Sequence, residues 1–315
     1  MSNKYQTPQQ LREALQELKK QFPRLYPRDL AAKLGSTEAQ LTALGAGETT
    51  FKLTVPDVVP LLNGLGKLGK PLFIVRNDDA VLEREATLHF EDKGHYTDAS
   101  DASGEVRLAM AKTAIASAFA VRAEKFVKRG LQFFDAAGTA VLKAYLRDET
   151  KIEAFDAWVQ PWLSADQSDA LEVMPGTVGK NPHTHDHANC HCAHGVEKPQ
   201  AIEAPSESFK LLLNAAAKSG EPVALSLSND TVFFRVGVPS IKKLAPMAPW
   251  FNILDDALHS HLREEAVTQA KFYTNKEKNK LKLASLSQEG KTLFILSVNL
   301  DGAAARELLP TGGAQ

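Results

Sequence analysis

Gly69-Lys-Pro-Leu-Phe-Ile-Val-Arg-Asn-Asp78 reads as a buried strand running into a turn, and Gly220-Glu-Pro-Val-Ala-Leu-Ser-Leu-Ser-Asn-Asp230 reads the same way. In each, a Gly-x-Pro lead-in precedes a run of strand length and then Asn-Asp, whose side chains bond the local backbone and favour turns. Further on, Leu131-Gln-Phe-Phe-Asp-Ala-Ala-Gly138 is echoed by Leu283-Ala-Ser-Leu-Ser-Gln-Glu-Gly290. The first of these carries strand-like runs on both sides of Asp135-Ala-Ala-Gly138, the pattern of a β-hairpin. Asn77 precedes Gly138 by 61 residues, and Asn229 precedes Gly290 by 61. Two anchors at one separation mark an internal duplication of a unit in which helices lead into an antiparallel sheet. The expected fold class is α+β, with two structurally repeated halves, each a large antiparallel β-sheet with flanking helices.

Outward from the first anchor, the upstream chain reads as helical. Leu11, Leu15 and Leu18 recur at helical spacing within residues 8–22, and Pro23 and Pro27 end that helix. A short helix over 28–34 stops at Gly35, and Ser36 or Thr37 with Gln40 caps a third helix towards Leu44. Residues 55–65 predict another. Past the Asn77 turn, 81–90 returns as a strand and 98–105 is an acidic loop. Residues 106–121 read as a strand followed by a helix, with a run of Ala, Met and Ile that leaves the second element open. Residues 151–163 form an amphipathic helix bearing Trp158 and Trp162. Residues 164–205 lack apolar periodicity and hold five of the nine histidines. The expected domains are therefore 1–163, a His/Cys-rich linker over 164–205, and 206–315, opening with a helix over 206–219.

Bulk chemistry narrows the classes. The chain has 315 residues, 43% hydrophobic and 24% charged, which is ordinary globular composition. A formal net charge of −1 creates no field selecting nucleic acid or an anionic membrane, so neither partner is expected. No stretch approaches the roughly 18 apolar residues of a membrane span. The two cysteines, Cys190 and Cys192, are too close together to build a disulfide framework. A cytoplasmic location is expected.

The densest chemical signal is His183-Thr-His185-Asp-His187-Ala-Asn-Cys190-His191-Cys192-Ala-His194. Imidazole and thiolate suit zinc, nickel, copper or iron, including haem iron. The spacing matches no zinc finger. The tract reads as an adventitious chelator, a metal-storage or sensing loop, a haem-ligand donor, or a solvated linker. His259 and His261 fall on one face if their segment is a strand, either as hydrogen-bonded structural residues, a weak metal pair or a haem contact. His89 and His95 are solitary. Nucleophile-elbow, phosphate-loop and His-Glu-x-x-His patterns do not occur, and Ala102 breaks a calcium-loop spacing in 98–105. Arg28 to Leu41 has the outline of a helix-turn-helix, but the second helix offers bases only Gln40, so it reads as a plain αα-hairpin.

An ordered set of blocks resembles the HemS/HmuS/ChuS family of haem-utilisation and hemin-degrading proteins. These blocks are Leu25-Tyr-Pro-Arg-Asp-Leu-Ala, Val75-Arg-Asn-Asp-Asp-Ala-Val-Leu-Glu, Val106-Arg107-Leu, Ala118-Phe-Ala-Val, Leu131-Gln-Phe-Phe-Asp-Ala-Ala-Gly, Pro246-Met-Ala-Pro-Trp250-Phe-Asn-Ile-Leu and Leu258-His-Ser-His261-Leu-Arg-Glu-Glu. The resemblance implies haem b in a cleft between the sheet of the second repeat and helices, with a protein acting as haem carrier or haem-degrading factor. It implies a haem-uptake system or a reductant as partner. It places Arg107 on the family's distal arginine and Lys276 about one position from a pocket lysine. The helix that carries the family's axial histidine is replaced here by the His/Cys tract, Leu82 stands where another family histidine would be, and Ser297 stands near an expected tyrosine. The proximal ligand is then expected from His261, with His259 beside it, or from His183, His185, His187, His191 or His194. The alternative is a non-enzymatic protein that binds or senses zinc or nickel through that tract, Cys190 and Cys192 included, with a vestigial haem pocket.

Overall fold

The computed structural model describes residues 5, 7–54, 57–123, 128–147, 151–174 and 201–309. Its helices are α1 (Pro8–Gln21), α2 (Pro27–Leu34), α3 (Glu38–Ala43), α4 (Val58–Leu68), α5 (Ile152–Val159), α6 (Ser208–Ser219) and α7 (Ala303–Leu308). The strands are β1 (Thr50–Lys52), β2 (Leu72–Arg76), β3 (Ala80–Glu85), β4 (His89–Asp92), β5 (Tyr96–Ser100), β6 (Val106–Ala111), β7 (Ser117–Ala123), β8 (Lys128–Phe134), β9 (Ala140–Leu146), β10 (Ile202–Ala204), β11 (Val223–Ser228), β12 (Val232–Val238), β13 (Trp250–Asp255), β14 (Leu258–Arg263), β15 (Gln269–Asn275), β16 (Lys280–Leu286) and β17 (Thr292–Asn299).

The helix ends follow from local chemistry. Thr7 caps α1, and Thr37 with Gln40 forms a full capping box on α3. Gly35 closes α2 in the left-handed region at φ 66°, where a side chain is strained. Three expected elements resolve differently. The return after Asn77 is broken into β3 and β4. The expected acidic loop begins as the end of β5, where Thr97 and Ala99 turn inward while Tyr96, Asp98 and Ser100 turn outward. The open element after β6 is a strand, β7, entered through a single 3-10 turn at Lys112–Ala114.

Among the described residues the strands form two antiparallel sheets, in the orders β1-β7-β8-β9-β2-β3-β14-β13 and β10-β15-β16-β17-β11-β12-β6-β5-β4. Element starts recur along the chain: β6, β7, β8 and β9 begin 152 residues before β14, β15, β16 and β17 respectively. The strand orders then have a consequence that sequence adjacency does not suggest. The hairpin β13–β14 completes the first sheet beside β3, and the hairpin β5–β6 sits in the second beside β12.

The chain parts into two compact units: Met1–Phe73 with His89–Thr97 and Ala111–Lys180, and Ile74–Leu88 with Asp98–Met110 and Asn181–Gln315. In the first, α1, α2 and the end of α3 enclose Leu11, Leu15, Leu30, Leu34 and Leu44. There α3 lies against the sheet, with Ala39 and Ala43 packed on Phe119 and Phe134, Lys143 paired to the buried Glu38 at 2.8 Å, and Thr42 reaching Gln132 at 3.5 Å. In the second unit, Phe209, Leu212, Leu213 and Ala216 of α6 are buried, as are Ala304 and Ala305 of α7. Leu225, Leu227, Phe234, Val236, Leu283 and Leu296 form the apolar side of the nine-stranded sheet.

Two asparagines fasten the second unit. Asn77 Oδ1 accepts from the backbone N–H of Asp79 (3.1 Å) and Ala80 (2.8 Å), and Asn229 Oδ1 does the same for Thr231 (3.0 Å) and Val232 (2.7 Å). Their amides then reach across: Asn77 Nδ2 donates to the Ser228 and Leu293 carbonyls, and Asn229 Nδ2 donates to the Arg76 carbonyl. The turn residue that the sequence marks thus also ties the two hairpins together.

Candidate functional site

Both histidines of the Leu258-His-Ser-His261 block stand on β14, a strand whose Leu258, Ser260 and Leu262 are buried while His259, His261 and Arg263 turn to the other face. Their rings lie 6.4 Å apart at 70°. Asn252, opposite His261 on β13, donates from Nδ2 to the Ala245 carbonyl at 2.8 Å, which orients its amide. Its Oδ1 therefore accepts at 2.7 Å from His261 Nδ1, so the neutral ring carries its proton on Nδ1 and leaves Nε2 as the lone-pair nitrogen. Burial, with the neighbouring His259 charge second, holds His261 below the usual histidine range. His259 Nδ1 lies 3.8 Å from Glu83 Oε2, its cross-strand partner on β3. Trp250 and Arg263 close this face with a 5.0 Å cation–π contact. No group of three or more His, Cys, Asp or Glu among the described residues is arranged to hold a metal ion.

Arg107 stands on the other sheet. On β6 its neighbours Val106 and Leu108 are buried and Arg107 is exposed, its guanidinium forked onto Asp98 at 2.9 and 2.8 Å. Directly opposite in the β12 register is a second arginine, Arg235. Arg235 reaches the Glu105 carbonyl at 3.4 Å, and no carboxylate among the described residues pairs with it.

From Arg235 the same face continues across four more strands. The register runs Arg235, Ser226, Ile295, Ala284, Lys271 in one row and Gly237, Ala224, Ser297, Lys282, Tyr273 in the next. Its middle is floored by Ala224, Ser226, Ala284 and Ser297, with Ile295 and Phe233 adding apolar surface. Its flanks are cationic. Lys282 is exposed without an ion pair among the described residues, Tyr273 is half-buried beside it, and Lys271 is held by Glu203 at 3.0 Å. Three strand gaps separate Lys282 from Arg235, about 14 Å at the usual spacing. In the first unit the positions 152 earlier than Ile295 and Ala284 are Lys143 and Gln132, and α3 covers them. Between residue 201 and β11 the described chain offers only β10 and α6, and α6 carries no histidine.

The remaining sequence-derived residues scatter. Lys276 is exposed in the β15–β16 turn. Leu82 is buried on β3. His89 and His95 are exposed in the first unit. The tract from His183 to His194 lies outside the described residues. Arg107 and the His259/His261 pair, expected around one ligand, are on different sheets. Arg235, Lys282 and Tyr273 escaped the sequence reading because no motif marks them. Only strand pairing puts Arg235 opposite Arg107, although Phe233-Phe-Arg235 did signal an arginine inside a strand.

These features define a class of α+β protein with two large antiparallel sheets and a cation-flanked sheet face floored by small side chains, of which Ala224, Ser226 and Ala284 are buried. Residues 35–162 match the family model described as the haemin-degrading HemS.ChuX domain. The hemin transport protein HmuS of Yersinia pestis is 23% identical over 282 residues, 81% of each chain, and HemS of Yersinia enterocolitica is 23% identical over 275 residues, 79% of each. Among solved structures, holo-PhuS, a heme-binding protein from Pseudomonas aeruginosa, superposes with a TM-score of 0.80 at 22% identity, covering 94% of this chain and 95% of that one. The heme degrading enzyme ChuS of Escherichia coli O157:H7 gives 0.78 at 20% identity, covering 98% and 96%. Residues 35–162 thus match that domain family, and the chain as a whole resembles the HemS/ChuS-like proteins, whose fold it shares over nearly its whole length.

Proposed function

We propose that this protein binds haem b on the open face of the nine-stranded sheet and serves haem-iron utilisation, as a carrier or as a haem-degrading factor. The observation that carries the reading is the floor of Ala224, Ser226, Ala284 and Ser297 between Arg107/Arg235 and Lys282/Tyr273. Small side chains let a flat macrocycle approach the sheet, Ile295 and Phe233 supply apolar contact, and the flanking cations suit its carboxylates. Arg107, held in place by Asp98, is positioned to orient a ligand or water above that floor. If the protein degrades haem, the bound iron and an external reductant supply the oxygen chemistry, while these residues bind, orient and exclude water. We read the family relatives as supporting a cytoplasmic role and the two halves as products of a duplication.

The rival seat is the other face, where His261 presents Nε2 with Asn252 fixing its tautomer, the arrangement of a metal-bound imidazole. A third reading assigns zinc or nickel to the Cys190, Cys192 and histidine tract. It draws support from the lack of any histidine on the open face among the described residues. Hemin titration followed at the Soret band separates them. A saturable one-to-one shift that survives deletion of 183–194 and is lost in Ser226→Phe supports the open face. A shift lost with the deletion alone assigns the axial ligand to the tract. No shift, with stoichiometric zinc or nickel uptake, supports the metal protein. Added reductant and oxygen leave the band intact in a carrier and bleach it in a degrading factor.

A further inference from the structure

We infer that Arg235 is a carboxylate-binding residue that sets which edge of a flat anionic ligand enters this face. The inference rests on the open-face reading above and narrows its flanking cations to one, making Arg235 rather than Arg107 or Lys282 the group that selects the entering edge. Two like charges directly opposite on antiparallel strands destabilise a sheet, yet Arg235 and Arg107 occupy such a position. The pair is balanced on one side only. Asp98 accepts both arms of the Arg107 fork, which neutralises that guanidinium and holds it still. Arg235 has a carbonyl oxygen at 3.4 Å, a long and uncharged acceptor. Glu105 does not relieve it. Its carboxylate is turned over Gly237, where Oε2 occupies the space a Cβ would fill, and it makes no ion pair with Arg235. The same face therefore offers a guanidinium with a planar fork and no anionic partner among the described residues, beside Ser226 and one strand from the small-residue floor. A carboxylate on the rim of a planar molecule lying on that floor satisfies this fork, and Asp98 repels one placed beyond Arg107. The opposite flank has only a point-charge amine at Lys282, so the two edges of the face discriminate by donor geometry.

The test compares hemin with hemin dimethyl ester, whose carboxylates are neutral, by Soret titration of the wild-type chain, Arg235→Ala and Arg235→Lys. The inference predicts that wild type prefers hemin, that Arg235→Ala weakens hemin about tenfold without changing the ester, and that Arg235→Lys restores part of the loss. The band position should stay constant, since no bond to iron is altered. Equal hemin and ester affinities in wild type, or equal losses for both ligands in Arg235→Ala, overturn the inference and leave the open-face reading standing. A wild-type chain that binds neither ligand overturns both. Thermal melts of Arg235→Ala at or slightly above wild type are expected, because a repulsion is removed, and they exclude misfolding as the cause.

Discussion

The two hairpins that complete the sheets occupy matching registers and carry opposite chemistry. On β14 and β3, His259 faces Glu83, with His261 and Asn252 alongside. At the corresponding places on β6 and β12, Arg107 faces Arg235, with Ala109 and Asp98 alongside. One face holds a neutral imidazole whose proton is fixed by an amide. The other holds permanent positive charge, half of it compensated. The same backbone pairing thus supplies either an imidazole whose burial favours its neutral form or an anion-seeking surface, and a handful of outward-facing positions sets the difference. The buried positions on both hairpins are the ones that hold the fold.

The largest effect should come from the asparagines that tie these hairpins. Asn77 is buried and makes four hydrogen bonds to backbone groups. Asn77→Ala should cost about 2–4 kcal/mol by urea unfolding, since it strands buried partners. Asn229→Ala, at a half-buried residue that bonds Arg76, Thr231 and Val232, should cost about 1–2 kcal/mol. Equal costs would mean the two clasps are equivalent despite their different burial.

The next effect is pH-dependent and belongs to the histidine face alone. His261 has its folded pKa lowered from 6.5, first by burial and then by His259. Below 6.5 the unfolded chain takes up the proton more readily than the folded one, so this stability is fully present above 6.5 and is lost as pH falls through the lowered folded value. His261→Gln should flatten that part of the stability–pH curve, whereas Arg107→Ala should leave its slope unchanged. An unchanged slope in His261→Gln would place the titration elsewhere.

The smallest effect should be on stability at the arginine pair. Arg107→Ala loses an exposed forked ion pair worth about 0.5–1 kcal/mol. Arg235→Ala should cost nothing or gain a few tenths by relieving the cross-strand repulsion. A clear loss in Arg235→Ala would mean that Arg235 is structural.

How far the sequence reaches follows from which interactions are local. The caps at Thr37 and Gly35 and the turns at Asn77 and Asn229 are written within a few residues, and each was legible. So was the common face of His259 and His261, because strand side chains alternate. The exchange of hairpins was not legible, since it pairs β6 with β12 and β14 with β3 across more than a hundred residues and no local pattern encodes a partner. For the same reason Arg107 and His261, grouped by the family resemblance, separate onto two sheets, while Arg235 joins Arg107 unannounced. The strand β7 was obscured because Ala116, Ala118 and Ala120 favour a helix locally, and only pairing of Phe119 and Val121 with β1 and β8 decides for the sheet.

The most direct measurement of the central claim is a hemin titration of wild type, Ser226→Phe and His261→Ala, each checked for intact fold by far-ultraviolet circular dichroism. Binding on the small-residue floor predicts a saturable Soret shift in wild type and His261→Ala and its loss in Ser226→Phe. A shift that persists in Ser226→Phe and disappears in His261→Ala would contradict it and move the haem to the other sheet.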